Sequence, residues 1–155
     1  MTKEEVLKEL KSYGSEAIKK VLMAHGADNT TYVVRISDMK NTVKKIKKDY
    51  KLSLELFNTG IYDAMYMAGL IADESKMTIK DLNSWVENSK TYGISEYTVA
   101  WITAESNFAW ELANEWIKSK KENIASTGWS TFSNYIALTD NEKLDLKAIE
   151  KLMEK

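Results

Sequence analysis

Cysteine and proline are absent from this 155-residue chain, which also contains only one histidine and six glycines. The lack of cysteine excludes disulfide bonds, thiolate nucleophiles and metal sites built on thiolates. The single histidine, His25, cannot form a two-imidazole metal site, and its place before Gly26 favours a helix C-terminus over catalysis. The sequence also lacks a Walker loop, a dinucleotide fingerprint, an H-E-x-x-H motif and a nucleophile elbow. We therefore expect no metal and no organic cofactor.

Arginine is scarce too, because Arg35 is the only one. The formal net charge is −1 at pH 7, whereas domains that bind nucleic acid usually carry a basic excess on one face. Bidentate guanidinium contacts to phosphate or guanine are therefore few. Any contact to phosphate has to come mainly from lysine and has to weaken with salt.

Long apolar runs are missing as well, since none approaches the roughly 18–20 residues that span a bilayer. The N-terminus is charged rather than built like a targeting signal. We expect a cytoplasmic protein with no membrane partner. The length suits a single domain over residues 1–155 with one continuous core.

Apolar residues recur at helical spacing almost throughout, which predicts an all-α chain without a sheet. Residues 39–50 carry one apolar stripe, on a helix that Ser37 or Asp38 would cap. Residues 61–72 are apolar nearly all round, which predicts a helix buried on several sides. Residues 31–36 are the one plausible strand, but they are short and isolated, so we predict an extended linker.

Two pairs of short segments along the chain have similar sequences. Residues 82–87 resemble residues 113–118, 31 positions later, and each window contains a tryptophan. Residues 60–63 resemble residues 93–96, 33 positions later, and each begins an apolar helix. This period is typical of an α-solenoid, in which helix hairpins bury their apolar faces by stacking. We predict about seven to eight helices.

Four segments resemble, in the same order, motifs of the HEAT-like-repeat DNA alkylation repair family, the AlkD-like alkylpurine DNA glycosylases. Residues 35–40 (RISDMK) resemble its V-R-x-x-D-L-R/K helix start, and residues 52–57 (LSLELF) its L-A-x-E-L-W helix. Residues 63–68 (DAMYMA) resemble the E-A-x-x-x-A helix that follows, and residues 108–111 its F-A-W-E turn. The resemblance covers roughly residues 30–137 and implies an α-α superhelix of HEAT-like repeats.

The resemblance also implies a reaction, the release of cationic purines such as 3-methyladenine or 7-methylguanine from alkylated duplex DNA. A carboxylate near the sugar would stabilise the positive charge that develops as the glycosidic bond breaks. The family's aromatic and aspartate pair, spaced i and i+4, falls on Tyr92 and Glu96, which are both changes of residue type. The family's DNA-gripping arginine falls on Ser126, and its final helical repeat has no counterpart here. The resemblance therefore implies a shortened or diverged member.

Each candidate residue has a structural interpretation beside the functional one. Glu96 would lie in the first turn of a helix, where the helix dipole favours a carboxylate, and Asp63 holds the equivalent place in the repeat. Tyr92 could simply be a half-buried packing residue. The tryptophans, Trp101 among them, could form the core between repeats, with one of them lining a cleft. Five lysines lie on one predicted helical face, and Lys45 widens it: Lys40, Lys44, Lys47, Lys48 and Lys51. This face is either a DNA-binding surface or an ordinary solvated surface.

Two functional hypotheses follow. The first is a glycosylase for alkylated purines, with Tyr92 and Glu96 at the site and with Trp101 and the five lysines contacting DNA. The alternative is a non-catalytic helical-repeat scaffold that binds a protein or undamaged nucleic acid. Self-association through an exposed terminal repeat is a further expectation for a partner.

Overall fold

The computed structural model describes residues 1–24 and 31–154, with the side chain of Leu22 left out. Within this part of the chain all regular structure is helical and no strand is present, which confirms the all-α prediction. His25 and Gly26, the predicted helix end, lie outside the described residues. The helices are α1 (Lys3–Tyr13), α2 (Glu16–Ala24), α3 (Ile36–Ile46), α4 (Tyr50–Phe57), α5 (Tyr62–Ile71), α6 (Ile79–Asn88), α7 (Ala100–Glu105), α8 (Ala109–Ile117), α9 (Glu122–Leu138) and α10 (Leu146–Met153).

Two shorter helical elements complete the described chain. A π-helical segment, Gly93–Val99, runs directly into α7, and a 3-10 turn, Asn141–Lys143, precedes α10. The prediction of seven to eight helices is wrong, because ten α-helices lie within residues 1–24 and 31–154. One cause is a break in a helix that the sequence pattern predicts as continuous.

The break lies between α3 and α4, within the apolar stripe of residues 39–50. Lys47 has φ 64°, which ends α3, while its backbone N–H still donates to the Val43 carbonyl at 2.7 Å. The Asp49 carboxylate then accepts from the backbone N–H of Leu52 at 3.0 Å and caps α4. The predicted cap at Ser37 or Asp38 is also wrong. Helix α3 begins at Ile36, and Asp38 accepts from the Arg35 guanidinium at 2.9 Å instead of capping.

The chain divides into two compact units, Met1–Met77 and Thr78–Lys155. The first contains α1 to α5, and the second contains α6 to α10 with the π-helical segment. A single domain over residues 1–155 stays a prediction.

In the first unit, α5 is the most enclosed helix. None of its ten residues is exposed, which confirms the prediction for residues 61–72. Its Asp63 carboxylate is only 2% exposed and faces the extended segment before α3. There it accepts from the backbone N–H groups of Tyr32 and Val34, at 2.5 and 2.9 Å, and from the Thr31 hydroxyl at 2.9 Å. The predicted linker is thus confirmed, although Val33 has φ 60° and departs from extended backbone. The Asp63 side chain fixes the segment.

A second, partly exposed contact joins α1 to α3. Glu9 accepts from the Tyr13 hydroxyl at 2.9 Å, from the Thr42 hydroxyl at 2.7 Å and from the Lys45 ammonium at 2.7 Å. The hydrogen bond from Lys45, followed by those from the two hydroxyls, holds the pKa of this carboxyl below its ordinary value of 4.5. A lowered pKa means that the ionised form stabilises the fold. That stability is present above the unfolded-state pKa and is lost as the pH falls through the folded-state pKa.

We expect Glu9→Gln to lower the free energy of unfolding by about 1 kcal/mol at neutral pH, a figure reduced for solvent exposure. The amide keeps an acceptor but loses the charge that strengthens the hydrogen bonds. The difference from the wild type should shrink as the pH falls from about 5 to about 3, because the wild-type carboxyl is then protonated. Urea unfolding at several pH values measures both effects, with the exposed Glu55→Gln as control. An effect independent of pH would contradict the assignment.

In the second unit, the 17-residue helix α9 lies against α6, the π-helical segment, α7 and α8. The predicted repeat is visible here, since Trp85 on α6 and Trp116 on α8 are both buried. The Trp116 indole N–H donates to the Asn83 side-chain oxygen at 2.7 Å, which links one helix of the repeat to the next. Helices α8 and α9 approach closely at Gly128. A Cβ added there would lie 2.5 Å from the Ile117 nitrogen.

We expect Gly128→Ala to destabilise the protein by about 1–3 kcal/mol, the usual cost of overpacking. This loss should appear although alanine favours a helix over glycine by about 1 kcal/mol. The atom that the new methyl group meets is backbone, so a whole helix has to shift. Thermal unfolding followed by circular dichroism measures the change. The exposed Ser133→Ala on the same helix is the control and should be neutral or slightly stabilising. A stabilised Gly128→Ala variant would disprove the close approach.

Candidate functional site

Tyr92 and Glu96 lie at the start of the π-helical segment. Tyr92 directly precedes it and is 55% exposed, so a little more than half of its surface is open to a partner. Glu96 is partly buried in the first turn, and its carboxylate accepts a hydrogen bond from the Ser126 hydroxyl on α9. The two positions that the sequence singles out separately, Glu96 and Ser126, are therefore in direct contact. A serine in this place holds the carboxylate with a neutral donor, whereas an arginine would supply a positive charge.

The π-helical segment has a second unusual feature beside Glu96. The Ser95 hydroxyl is buried and finds no hydrogen-bond partner within the described part of the chain. Buried polar groups are nearly always satisfied, and π-helical turns are frequent at functional sites. Both observations distinguish this stretch from the ordinary α-helices around it.

Exposed aromatic side chains follow along the same stretch. Tyr97 is 72% exposed, and Trp101, four residues later on α7, is 45% exposed. Side chains four residues apart are neighbours on a helix surface, so these two rings share one face. Trp129 on α9, three residues after Ser126, is also exposed and packs edge-on against Phe132 with ring centroids 6.0 Å apart. The sequence pattern predicts Trp101 at the site but misses Tyr97.

The predicted lysine surface is only partly present. All five lysines are exposed, but the break at Lys47 divides them between α3, the turn and α4, so the prediction of one helical face is wrong. Lys48 donates to Glu74, and Lys45 is held by Glu9. Lys40, Lys44, Lys47 and Lys51 form no ion pair with the described residues. The lysines lie in the first unit, whereas Tyr92, Glu96 and Trp101 lie in the second.

An open cavity of about 460 Å³ lies beside Tyr92 in the second unit. Glu87 at the end of α6, the loop residues Lys90 and Thr91, and Lys121 before α9 belong to its lining. The Lys121 ammonium lies 2.5 Å from the Glu87 carboxylate. Sequence reasoning misses this cavity because its two halves are about thirty residues apart in the chain.

Residues 1–24 and 31–154 contain no group of three histidine or acidic side chains that could hold a metal ion. No helix in the same ranges is long and apolar enough to cross a bilayer.

The repeated helices and the exposed aromatic residues together suggest a HEAT-like repeat protein. Comparison with known proteins identifies the family. The model of the DNA alkylation repair enzyme family matches residues 6–155, so the chain belongs to that family. This membership confirms the resemblance found in the sequence.

Two relatives show how far the similarity extends. Uncharacterized protein Lin0241 of Listeria innocua serovar 6a is 27% identical in an alignment of 139 residues that covers 86% of this chain and 62% of that protein. One solved structure matches with a TM-score of 0.90 and 36% identity, over 99% of this chain and 66% of that one. That structure is described as representing a new family of proteins related to the HEAT-like repeat DNA glycosylases with affinity for branched DNA structures. This chain therefore spans less than two thirds of the length of either relative.

Proposed function

We propose that this protein binds DNA in which bases are unpaired, as at a branch point, through exposed rings of the second unit. The observation that carries the proposal is the pair Tyr97 and Trp101, two large exposed rings four residues apart. Exposed rings at this spacing offer a surface on which successive bases can stack, a contact worth about 1–3 kcal/mol per base. Stacking needs no arginine and no basic excess, which suits a chain with net charge −1.

The similar solved structure supports the choice of DNA form, because that protein is described as having affinity for branched DNA. Bases at a branch point are less completely stacked than in a duplex, so they are open to an aromatic side chain. Lys40, Lys44, Lys47 and Lys51 would add contacts to phosphate, which predicts binding that weakens as salt rises. We therefore expect branched DNA to be preferred over a duplex of the same sequence.

We expect Trp101→Ala and Tyr97→Ala each to weaken binding of a fluorescent three-way junction with unpaired nucleotides at its branch by about tenfold, the loss of one stacked base. Fluorescence anisotropy at low salt measures the affinity. Leu146→Ala is the control, because Leu146 is also an exposed apolar residue of the second unit but lies on α10. Wild-type binding that does not distinguish junction from duplex, or ring variants that bind like the control, would refute the proposal.

The second candidate function is release of alkylated purines, and the hydrogen-bonded carboxylate of Glu96 beside Tyr92 favours it. In this reaction the N-glycosidic bond breaks, the alkylpurine leaves with the bonding electron pair, and water adds to the sugar carbon and loses a proton. The Glu96 carboxylate would stabilise the positive sugar in the transition state. Tyr92 would supply a stacking face for sugar or base.

We expect wild-type protein to release 7-methylguanine from methylated duplex DNA, and Glu96→Gln to reduce the rate at least about tenfold by removing the charge. Release is measured by chromatography of the free base at high protein concentration and low salt. Glu111→Gln, an exposed carboxylate on α8, is the matched control. A wild-type rate equal to buffer would remove the glycosylase function and would leave the DNA-binding proposal untouched.

A further inference from the structure

The open cavity beside Tyr92 has no part in the proposed stacking on Tyr97 and Trp101. Its volume of about 460 Å³ falls in the range of small-molecule sites and greatly exceeds that of a few water molecules. Two chain segments form it, the loop after α6 and the first residues of α9 with the lysine before them. Both belong to the second unit, so the cavity is a feature of one compact body.

The lining combines positive charge with polar donors and a ring. Lys90 and Lys121 carry ammonium groups, and Thr91 carries a hydroxyl. The Asn123 amide donates to the Ser89 carbonyl at 3.4 Å and retains a second N–H for another acceptor. Ammonium, hydroxyl and amide N–H groups are the donors that phosphate oxygens accept, and the exposed Tyr92 ring at the edge can stack on a base. Phosphate and base together define a nucleotide.

The Glu87 carboxylate is the one acidic group of this lining, and its ion pair with Lys121 is exposed on both sides. The side chains are 51% and 63% exposed, so the pair adds little to stability and can exchange partners. An incoming phosphate would take Lys121 from Glu87. Glu87 would therefore compete with the phosphate, and its removal would strengthen binding.

We propose that this cavity binds one unpaired nucleotide of a DNA strand, with its phosphate between Lys90 and Lys121 and its base against Tyr92. The inference rests on the proposed function and deepens it, because it adds a phosphate contact to a surface otherwise made of rings. The same chemistry is offered by a 5′-terminal phosphate and by an internal phosphodiester at a branch.

The test compares charge changes inside and outside the cavity by anisotropy with a three-way junction that has unpaired nucleotides at its branch. Lys90→Gln and Lys121→Gln should each weaken binding about three- to fivefold, the scale of one exposed charge contact. Glu87→Gln should tighten binding by about the same factor. The controls Lys143→Gln and Glu142→Gln make the same charge changes elsewhere in the second unit and should have no comparable effect.

The opposite effects expected for Lys121→Gln and Glu87→Gln on DNA affinity distinguish a phosphate site from a purely structural ion pair. Lys121→Gln and Glu87→Gln break the same ion pair, so a purely structural pair predicts the same direction for both variants. Junctions with a 5′-phosphate or a 5′-hydroxyl then distinguish the two sources. An affinity gain from the 5′-phosphate that Lys90→Gln removes indicates a strand end, and equal affinities with a Lys90 effect indicate an internal phosphate.

Failure of the inference and failure of the proposed function give different results. If the wild type binds the junction and the cavity variants match their controls, the inference is wrong and the proposed function stands. If the wild type binds no DNA, titration with thymidine 5′-monophosphate tests whether the cavity binds a nucleotide. Shifts of the Thr91 and Asn123 amide NMR signals that thymidine alone does not produce would support it. Absence of such shifts would overturn it.

Discussion

The close approach of α8 and α9 at Gly128 is the constraint on which the second unit depends. Without a side chain at this position, the backbone of α9 lies against Trp116 and Ile117 at a distance that a methyl group would not fit. Helix α9 also touches α6, α7 and the π-helical segment, so its position determines that of its neighbours. Ser126 and Trp129 stand on either side of Gly128 in the sequence. The placement of the Glu96 partner and of one exposed ring therefore follows from this packing.

The candidate surfaces of the second unit meet at Tyr92. On one side of it, the π-helical segment and α7 present Glu96, Tyr97 and Trp101. On the other side, the loop after α6 leads into the cavity with Lys90. The net charge of the whole chain hides this local arrangement, because acidic residues elsewhere balance the lysines.

Much of the fold can be predicted from the sequence because helical periodicity is a local signal. The buried helix at residues 61–72 is found in that way. The short, isolated segment before α3 and the repeated windows that contain Trp85 and Trp116 are local signals as well. The break at Lys47 is not, since a lysine with positive φ carries no mark that distinguishes it from its neighbours. Contacts between distant residues are also invisible to periodicity. The hydrogen bond between Ser126 and Glu96 spans 30 positions, and nothing in either local pattern points to the other.

The linker before α3 shows a different use of a buried carboxylate. Asp63 holds this segment mainly through the backbone N–H groups of Tyr32 and Val34, which every residue except proline possesses. The identity of the side chains at these two positions therefore matters little to the contact. During divergence, the side chains at these two positions can change, proline excepted, while the hydrogen bonds to the segment persist, provided that the aspartate is kept. A family of repeats held in this way can vary its surface without rebuilding its framework.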